Sequence, residues 1–313
     1  MATWAYPPLT PERLKQEEQC ALAKELEWLL YSLQESLASL REGLRECADL
    51  LAPKEPGSTL VLSSLRSESV KGFVTRIGTR IVKGDVQVRL NSLPPPRGAA
   101  STRLVFSNVP GAPDLVLGQL ASVRNLIDQS LDIVDVSTWT GDSLNANFIS
   151  GQLRLLYENI TEAKSILKGE LGKTSHWWEN SADDNIFDPP LPPYVSFHLM
   201  ITDAALVLYL RTLEPNSPSH TPTVFTPDIS LTGFYLRDKI FGPRHRPHDE
   251  AGDVFFWRGE EVKVKEKLRV ESQDPSLIVI VAKLSALGHE VTKFIASLKV
   301  VMDEDDTESD SNE

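Results

Sequence analysis

Cysteine is nearly absent: the 313 residues contain only Cys20 and Cys47. Both fall in a stretch with one continuous helical period, where a rise of about 1.5 Å per residue holds them about 40 Å apart, far past the roughly 7 Å limit for bridging. No internal disulfide is expected, so a disulfide scaffold is excluded and a reducing compartment is implied. Long apolar runs are missing too. One of the longest, LIVIVA (Leu277–Ala282), is stopped by Lys283, whereas a membrane-spanning helix needs about 20 apolar residues. The opening MATWAYPPLTPER has no basic patch leading into an apolar run, so no signal peptide is expected, and the sequon Asn159-Ile160-Thr161 is read as coincidence. An excess of basic charge is also lacking, since 44 acids face 32 bases for a net charge of −12. Seven of those acids, and no base, sit in the last eleven residues, which leaves 37 acids against 32 bases elsewhere. Without a basic footprint, nucleic-acid binding is excluded. The 41% of hydrophobic residues excludes a wholly disordered chain and leaves a protein expected in the cytoplasm or at a membrane surface.

Signatures of chemistry are equally scarce. No G-x-G-x-x-G follows a strand pattern, and no G-x-S-x-G elbow anchors a hydrolase triad. Gly172-Lys173-Thr174 resembles the end of a phosphate loop, but Leu167 stands where its first glycine belongs. The triplet is better read as the end of a helix, with Gly172 as its stop. His245-Arg246-Pro247-His248-Asp249 offers two imidazoles and a carboxylate, yet Pro247 breaks a helical presentation and no second cluster supports a metal. The other histidines (176, 198, 220 and 289) are scattered. Asp183-Asp184 and Asp188 lack the glycine and terminal Glu of a calcium loop. No catalytic, metal or cofactor-binding residue is assigned, and no cofactor is expected.

Helical periodicity is abundant. After Thr10-Pro11-Glu12, a cap, first-turn proline and dipole-compatible acid, apolar residues recur at Leu26, Leu30, Leu33, Leu37, Leu40, Leu44, Cys47 and Leu51 in alternating steps of four and three. Trp28 and Leu29 widen this heptad stripe, and Pro53 and Pro56-Gly57 end it. The same period predicts helices near 114–136 and 142–171. It predicts a fourth after Asp274-Pro275, with Leu277, Val281, Leu284, Gly288, Val291, Ile295, Leu298 and Met302 on its seam.

Between the helices the period falls to two. Strands are expected at Thr59–Ser63, Val70–Ile77, Ile81–Leu90 and Thr102–Phe106, with a bulge at Lys83-Gly84-Asp85. A second set is expected around Val195–Ile201, Leu206–Leu210, Leu231–Leu236, Val254–Trp257 and Val262–Glu271, with a hairpin turn at Arg258-Gly259-Glu260. Like elements pack together, so the expected fold is α+β. It comprises an antiparallel helical bundle built from discontinuous segments (12–52, 112–175 and 274–302) and an antiparallel β-sheet domain (57–107 and 190–272). Residues 1–9 and 303–313 and the Pro-rich or charged stretches 214–228 and 241–253 are expected to be disordered or mobile.

Candidate contact residues remain. Adjacent Trp177 and Trp178 cannot share one helix face, so one either covers a junction or anchors a partner. The basic run Arg237–Arg246 is a solvated face or a contact for acidic partners, and Thr307, with Asp310 three residues on, fits an acid-directed kinase site. Edge strands of the β domain could accept a partner strand.

Four segments resemble one known family: LAKELEWLLYSLQESL, SESVKGFVTRIGTRIVKGDVQVRL, LPPYVSFHLMITDAALVLYLRTLEP and GDVFFWRGEEVKVKEKL, with Val70-Lys71-Gly72 and Leu213-Glu214-Pro215 among them. In this order, from about Leu22 to Val300, they are similar to the Rogdi leucine-zipper family, whose fungal members are the second subunit of the RAVE complex. The resemblance implies a helical domain plus a β domain, with both chain ends in the helical part, and no catalytic residues. It implies a non-enzymatic adaptor, cytoplasmic and peripheral to vacuolar or endosomal membranes. Its implied partners are a rabconnectin-like WD-repeat scaffold, a Skp-type adaptor and peripheral-sector subunits of the V-ATPase, whose rejoining with the membrane sector restores acidification. The sequence departs from the family pattern in its acidic tail and in loops 214–228 and 241–253. The heptad seam is satisfied either inside one chain or in an intermolecular zipper. A lipid- or small-ligand-binding β domain, or a coiled-coil scaffold in membrane traffic, is the alternative.

Overall fold

The computed structural model describes residues 10–64, 69–109, 111–140, 144–170, 176–216 and 248–302. Four helices and nine strands are described: α1 (Pro11–Leu50), β1 (Ser58–Ser63), β2 (Val70–Ile77), β3 (Arg80–Val88), β4 (Thr102–Val105), β5 (Leu115–Val116), α2 (Gly118–Asp135), α3 (Ala146–Lys168), β6 (Val195–Thr202), β7 (Ala205–Pro215), β8 (Val254–Trp257), β9 (Glu260–Gln273) and α4 (Pro275–Met302). The fold class is α+β, with two antiparallel sheets. Contacts group the chain into a helical unit (1–51, 122–165 and 279–313) and a sheet unit (52–121 and 166–278).

In the helical unit, the α1 stripe is buried at Leu30, Leu33, Leu37, Leu40, Leu44 and Cys47, while Leu26 is half-buried. On α4, Leu284, Val291 and Leu298 are buried and Ile295 is half-buried. Helix meets helix closely where side chains are smallest. A Cβ on Gly43 would stand 2.8 Å from Leu287 Cδ2, and one on Gly288 would stand 3.3 Å from Ile160 Cγ2. Around these approaches Lys283 pairs with Glu46, Arg41 with Asp135 at 2.8 Å, and Arg124 donates to the Leu51 carbonyl at 3.5 Å. Burial lifts the Cys47 thiol to about 11, so it remains a protonated, inert filler of the stripe. Trp28 does not widen the stripe. It is 67% exposed, near Tyr31 at 72%, because about 100° per residue carries both to the far side of α1 from Leu33.

The sheet unit contains a five-stranded sheet, β1-β2-β3-β4 with β5 also on β3, and a four-stranded sheet ordered β6-β7-β9-β8. Phe106, Phe187 and Phe197 form an edge-to-face trio with centroids 4.9–6.0 Å apart, joining the end of β4 to β6. The register between β2 and β3 steps from Thr75↔Lys83 to Arg76↔Ile81, so the extra residue of the bulge is Val82, next to the expected Lys83–Asp85. Gly84 keeps regular pairing because the Phe106 ring lies over it, 2.7 Å from where a Cβ would be. Gly72 is needed for a similar reason, since its Cβ would stand 2.1 Å from the Asp85 carbonyl oxygen.

Three local expectations need correction. The second helix begins at Gly118, because Leu115–Val116 pairs with β3 first. Thr10 stands at the start of α1 without a side-chain capping bond. The third helix stops at Gly169 (φ +82°), not Gly172, which lies outside the described residues. The β6–β7 turn helps to end it, because Ala204 N–H donates to the Leu167 carbonyl at 3.0 Å and Asp203 N–H to that of Lys168 at 3.3 Å. Strand Leu231–Leu236 and residues 1–9 and 303–313 also lie outside the described residues.

Candidate partner-binding surface

Alternation along β7 places Tyr209, Arg211 and Leu213 on one face, opposite Leu206, Leu208 and Leu210. Antiparallel register brings His198 of β6 beside Tyr209, and Lys267 and Arg269 of β9 beside Arg211 and Tyr209. The result is an aromatic and cationic surface on the four-stranded sheet. Trp177 lies over it: its ring is 5.2 Å from Phe255 and 5.8 Å from Trp257, and the Arg211 guanidinium stands 4.6 Å from its centroid. With Leu213, Val262 and Val264 it forms a small apolar core.

The cations are held by an acidic turn. Glu250 accepts two hydrogen bonds of 2.7 Å from buried Arg211, and Lys267 bridges Glu250 at 2.6 Å and Asp249 at 2.8 Å. Burial opposes ionisation of Glu250, but the bonds from Arg211 and Lys267 outweigh it and hold its carboxyl below the usual range. The Lys267 hydrogen bond lowers Asp249 in the same way. Burial, reinforced by Arg211, pushes His198 down to about 4, so its imidazole is neutral near pH 7. Among the described residues, Trp177 Nε1, His198 Nδ1, Arg211 Nη1 and His248 Nδ1 are buried polar atoms without a hydrogen-bond partner.

Trp178 has a different position from Trp177. It is half-buried, stacked on His176 at 4.3 Å and 10°, and it lines a cleft of about 520 Å³ with Trp257, Asp183, Asp184, Pro190 and Arg258. Asp183 accepts from Asn185 N–H at 2.9 Å, and Asp184 pairs with Arg258 at 2.7 Å. The neighbouring tryptophans thus divide into an enclosed member and a surface member.

These contacts account for several residues singled out in the sequence. Asp249 is spent on Lys267, while His245, Arg246, Pro247, the rest of the run from Arg237, and Thr307 lie outside the described residues. So does most of 214–228 and 241–253, although Glu214 and Pro215 belong to β7. Among the described residues no three His, Cys, Asp or Glu side chains could hold a metal ion, and no helix is long and apolar enough to cross a membrane. The Arg211–Glu250–Lys267 network was missed because Arg211 and Glu250 stand 39 residues apart and Lys267 lies a further 17 along the chain. The one local signal was the placing of Tyr209 and Arg211 two apart in a strand that opens with an apolar run, Ala205–Leu208.

A family model described as Rogdi leucine zipper containing protein matches residues 25–299. The chain is 23% identical over 309 residues to Regulator of V-ATPase in vacuolar membrane protein 2 of Schizosaccharomyces pombe, covering 90% of this chain and 94% of that one. It is 22% identical over 213 residues to Protein rogdi homolog of Danio rerio, covering 64% and 72% respectively.

Proposed function

The chain belongs to the Rogdi leucine zipper family, and on that premise we propose that it is a non-catalytic regulator of the V-ATPase. It acts as an adaptor that helps the peripheral sector rejoin the membrane sector. The observation that carries this reading is near end-to-end similarity to the S. pombe regulator. The sheet unit is consistent with an adaptor, since its buried charges are committed to structural pairs such as Arg211–Glu250.

In this reading the helices form one intramolecular bundle from segments 12–52, 112–175 and 274–302, with 57–107 and 190–272 as a β domain. The contacts of Gly43 with Leu287 and of Gly288 with Ile160 support closure of the leucine seam within a single chain. The rest of the surface is then available for a WD-repeat scaffold, a Skp-type adaptor and peripheral-sector subunits at vacuolar or endosomal membranes. Trp178 is a contact residue and Trp177 its support.

The test is affinity purification of the tagged full chain from cells before and after nutrient change. Recovery of the WD-repeat scaffold and peripheral-sector subunits is expected, together with slowed organelle reacidification when the chain is depleted. Recovery of neither, with normal reacidification, removes the reading.

A further inference from the structure

The outer strands of the two sheets are treated unequally. The edge of β6 is sealed: the Gln119 side-chain amide accepts from Ile201 N–H at 2.6 Å and donates to its carbonyl at 2.9 Å, and Ala182 N–H donates to the Phe197 carbonyl at 2.7 Å. Past β4, Ser107 N–H donates to the Ile186 carbonyl and Asp188 N–H to that of Val105. β1 comes up against β9.

β8 has no such cover among the described residues. Arg258 (φ 50°) and Gly259 (φ 92°) make the two-residue turn to β9, and both positive angles mark it as type I′, closed by a hydrogen-bonded Trp257–Glu260 pair. Pairing alternates along an antiparallel ladder, so Phe256 and Val254 direct their N–H and C=O groups away from β9. The other side agrees, because Glu261, opposite Phe256, gives its carbonyl to Asn216 N–H at 2.7 Å, towards β7. No backbone bond among the described residues reaches the outward groups. The side chains of Phe256 and Val254 are 62% and 47% exposed.

Charge around the strand selects an occupant. Asp253 precedes β8, and Glu260 and Glu261 follow its turn. Glu260 and Glu261 meet only the neutral donors Tyr194 and Asn216, and none of the three has an ion pair among the described residues. Of the nearby cations, Arg258 is already neutralised by Asp184, and Lys263, opposite Val254 on β9, leaves the three carboxylates in excess. A second copy pairing antiparallel through this edge would bring the same carboxylates together, which charge repulsion disfavours.

We infer that β8 is a docking edge for an extended, basic segment of a partner protein. The segment adds as a fifth strand, with apolar side chains at alternate positions over Phe256 and Val254 and Lys or Arg against Asp253, Glu260 and Glu261. The inference goes beyond V-ATPase regulation and holds whichever protein supplies the strand.

Twelve-residue random peptides displayed on phage are selected on the immobilised full chain, and selected sequences are synthesised for fluorescence anisotropy. Alternating apolar sequences flanked by Lys or Arg are expected. Phe256→Pro removes one outward donor at an edge position where proline is tolerated, and at least a tenfold loss of affinity is expected with the melting temperature unchanged. If Phe256→Pro does not fold, Glu260→Lys/Glu261→Lys and peptides N-methylated at alternate amides decide, each with a similar loss expected. The inference is overturned if selection yields no binder or peptides without basic enrichment, or if binding is indifferent to these changes. It is also overturned by a concentration-dependent dimer that the edge variants abolish, which would assign β8 to a second copy.

Discussion

His198 carries a pH dependence whose sign follows from its burial. The folded protein refuses a proton that the unfolded chain takes up between the ordinary value of 6.5 and about 4. Its stabilising contribution is therefore full above 6.5 and lost as pH falls through that window. Urea unfolding at about pH 7.5 and about pH 5 should differ by about 2 kcal/mol from this group, and His198→Gln should flatten the difference. Asp249 and Glu250, both held low, lose their contribution only as pH falls through their own depressed values, below most of the histidine window. Asp274 has two tasks. It pairs with Arg76 at 2.6 Å, the two being 0% and 2% exposed, and it accepts Ser276 N–H at 3.0 Å at the start of α4. Asp274→Ala should cost roughly 3–5 kcal/mol in chemical denaturation, because it strands a buried guanidinium. Arg76→Met with Asp274→Asn should recover most of that, since the cap oxygen is kept.

Closed strand edges and close backbone approaches make separate predictions for the elements. Gln119→Leu removes both side-chain bonds to Ile201 and should cost about 1–3 kcal/mol by leaving backbone groups unsatisfied. Hydrogen exchange should speed up at the Ile201 amide and leave β9 unchanged. Gly72→Ala drives a Cβ into the Asp85 carbonyl, a backbone atom that cannot rotate away, so a drop in melting temperature of several degrees is expected. Gly288→Ala meets only Ile160 Cγ2 at 3.3 Å and gains about 1 kcal/mol of helix propensity, so its melting temperature should stay close to that of the parent. The motif Val70-Lys71-Gly72, which helped to identify the family resemblance, thereby acquires a physical reason: β2 and β3 approach too closely there for any side chain.

For the whole molecule, the two tryptophans separate folding from recognition. Trp177→Ala empties a core shared with Leu213, Trp257, Val262 and Val264 and should cost about 3–5 kcal/mol, lowering the melting temperature and partner recovery together. Trp178→Ala should lower partner recovery with little change in melting. Equal recovery with both variants, at unchanged organelle acidification, would remove the tryptophan pair from the binding surface.

The helices and most strands were legible in the order of residues, because apolar period is a local property. Steps of three and four along α1 and α4, and alternation along β6 and β7, require no knowledge of what lies opposite. Asp274-Pro275 as a helix start and Arg258-Gly259 as a turn were readable for the same reason, since caps and turns are made by neighbours in the chain. Partnership was not readable. Asp274 meets Arg76 from 198 residues away and Glu266 reaches Ser92 from 174, and the chain's 44 acids and 32 bases allow far too many pairings to choose among. Which tryptophan is enclosed, which glycine stops α3 and which strand edge is left uncovered among the described residues depended on distant segments arriving at one place. Burial and hydrogen-bond satisfaction are properties of that arrangement, and no local stretch of residues carries them.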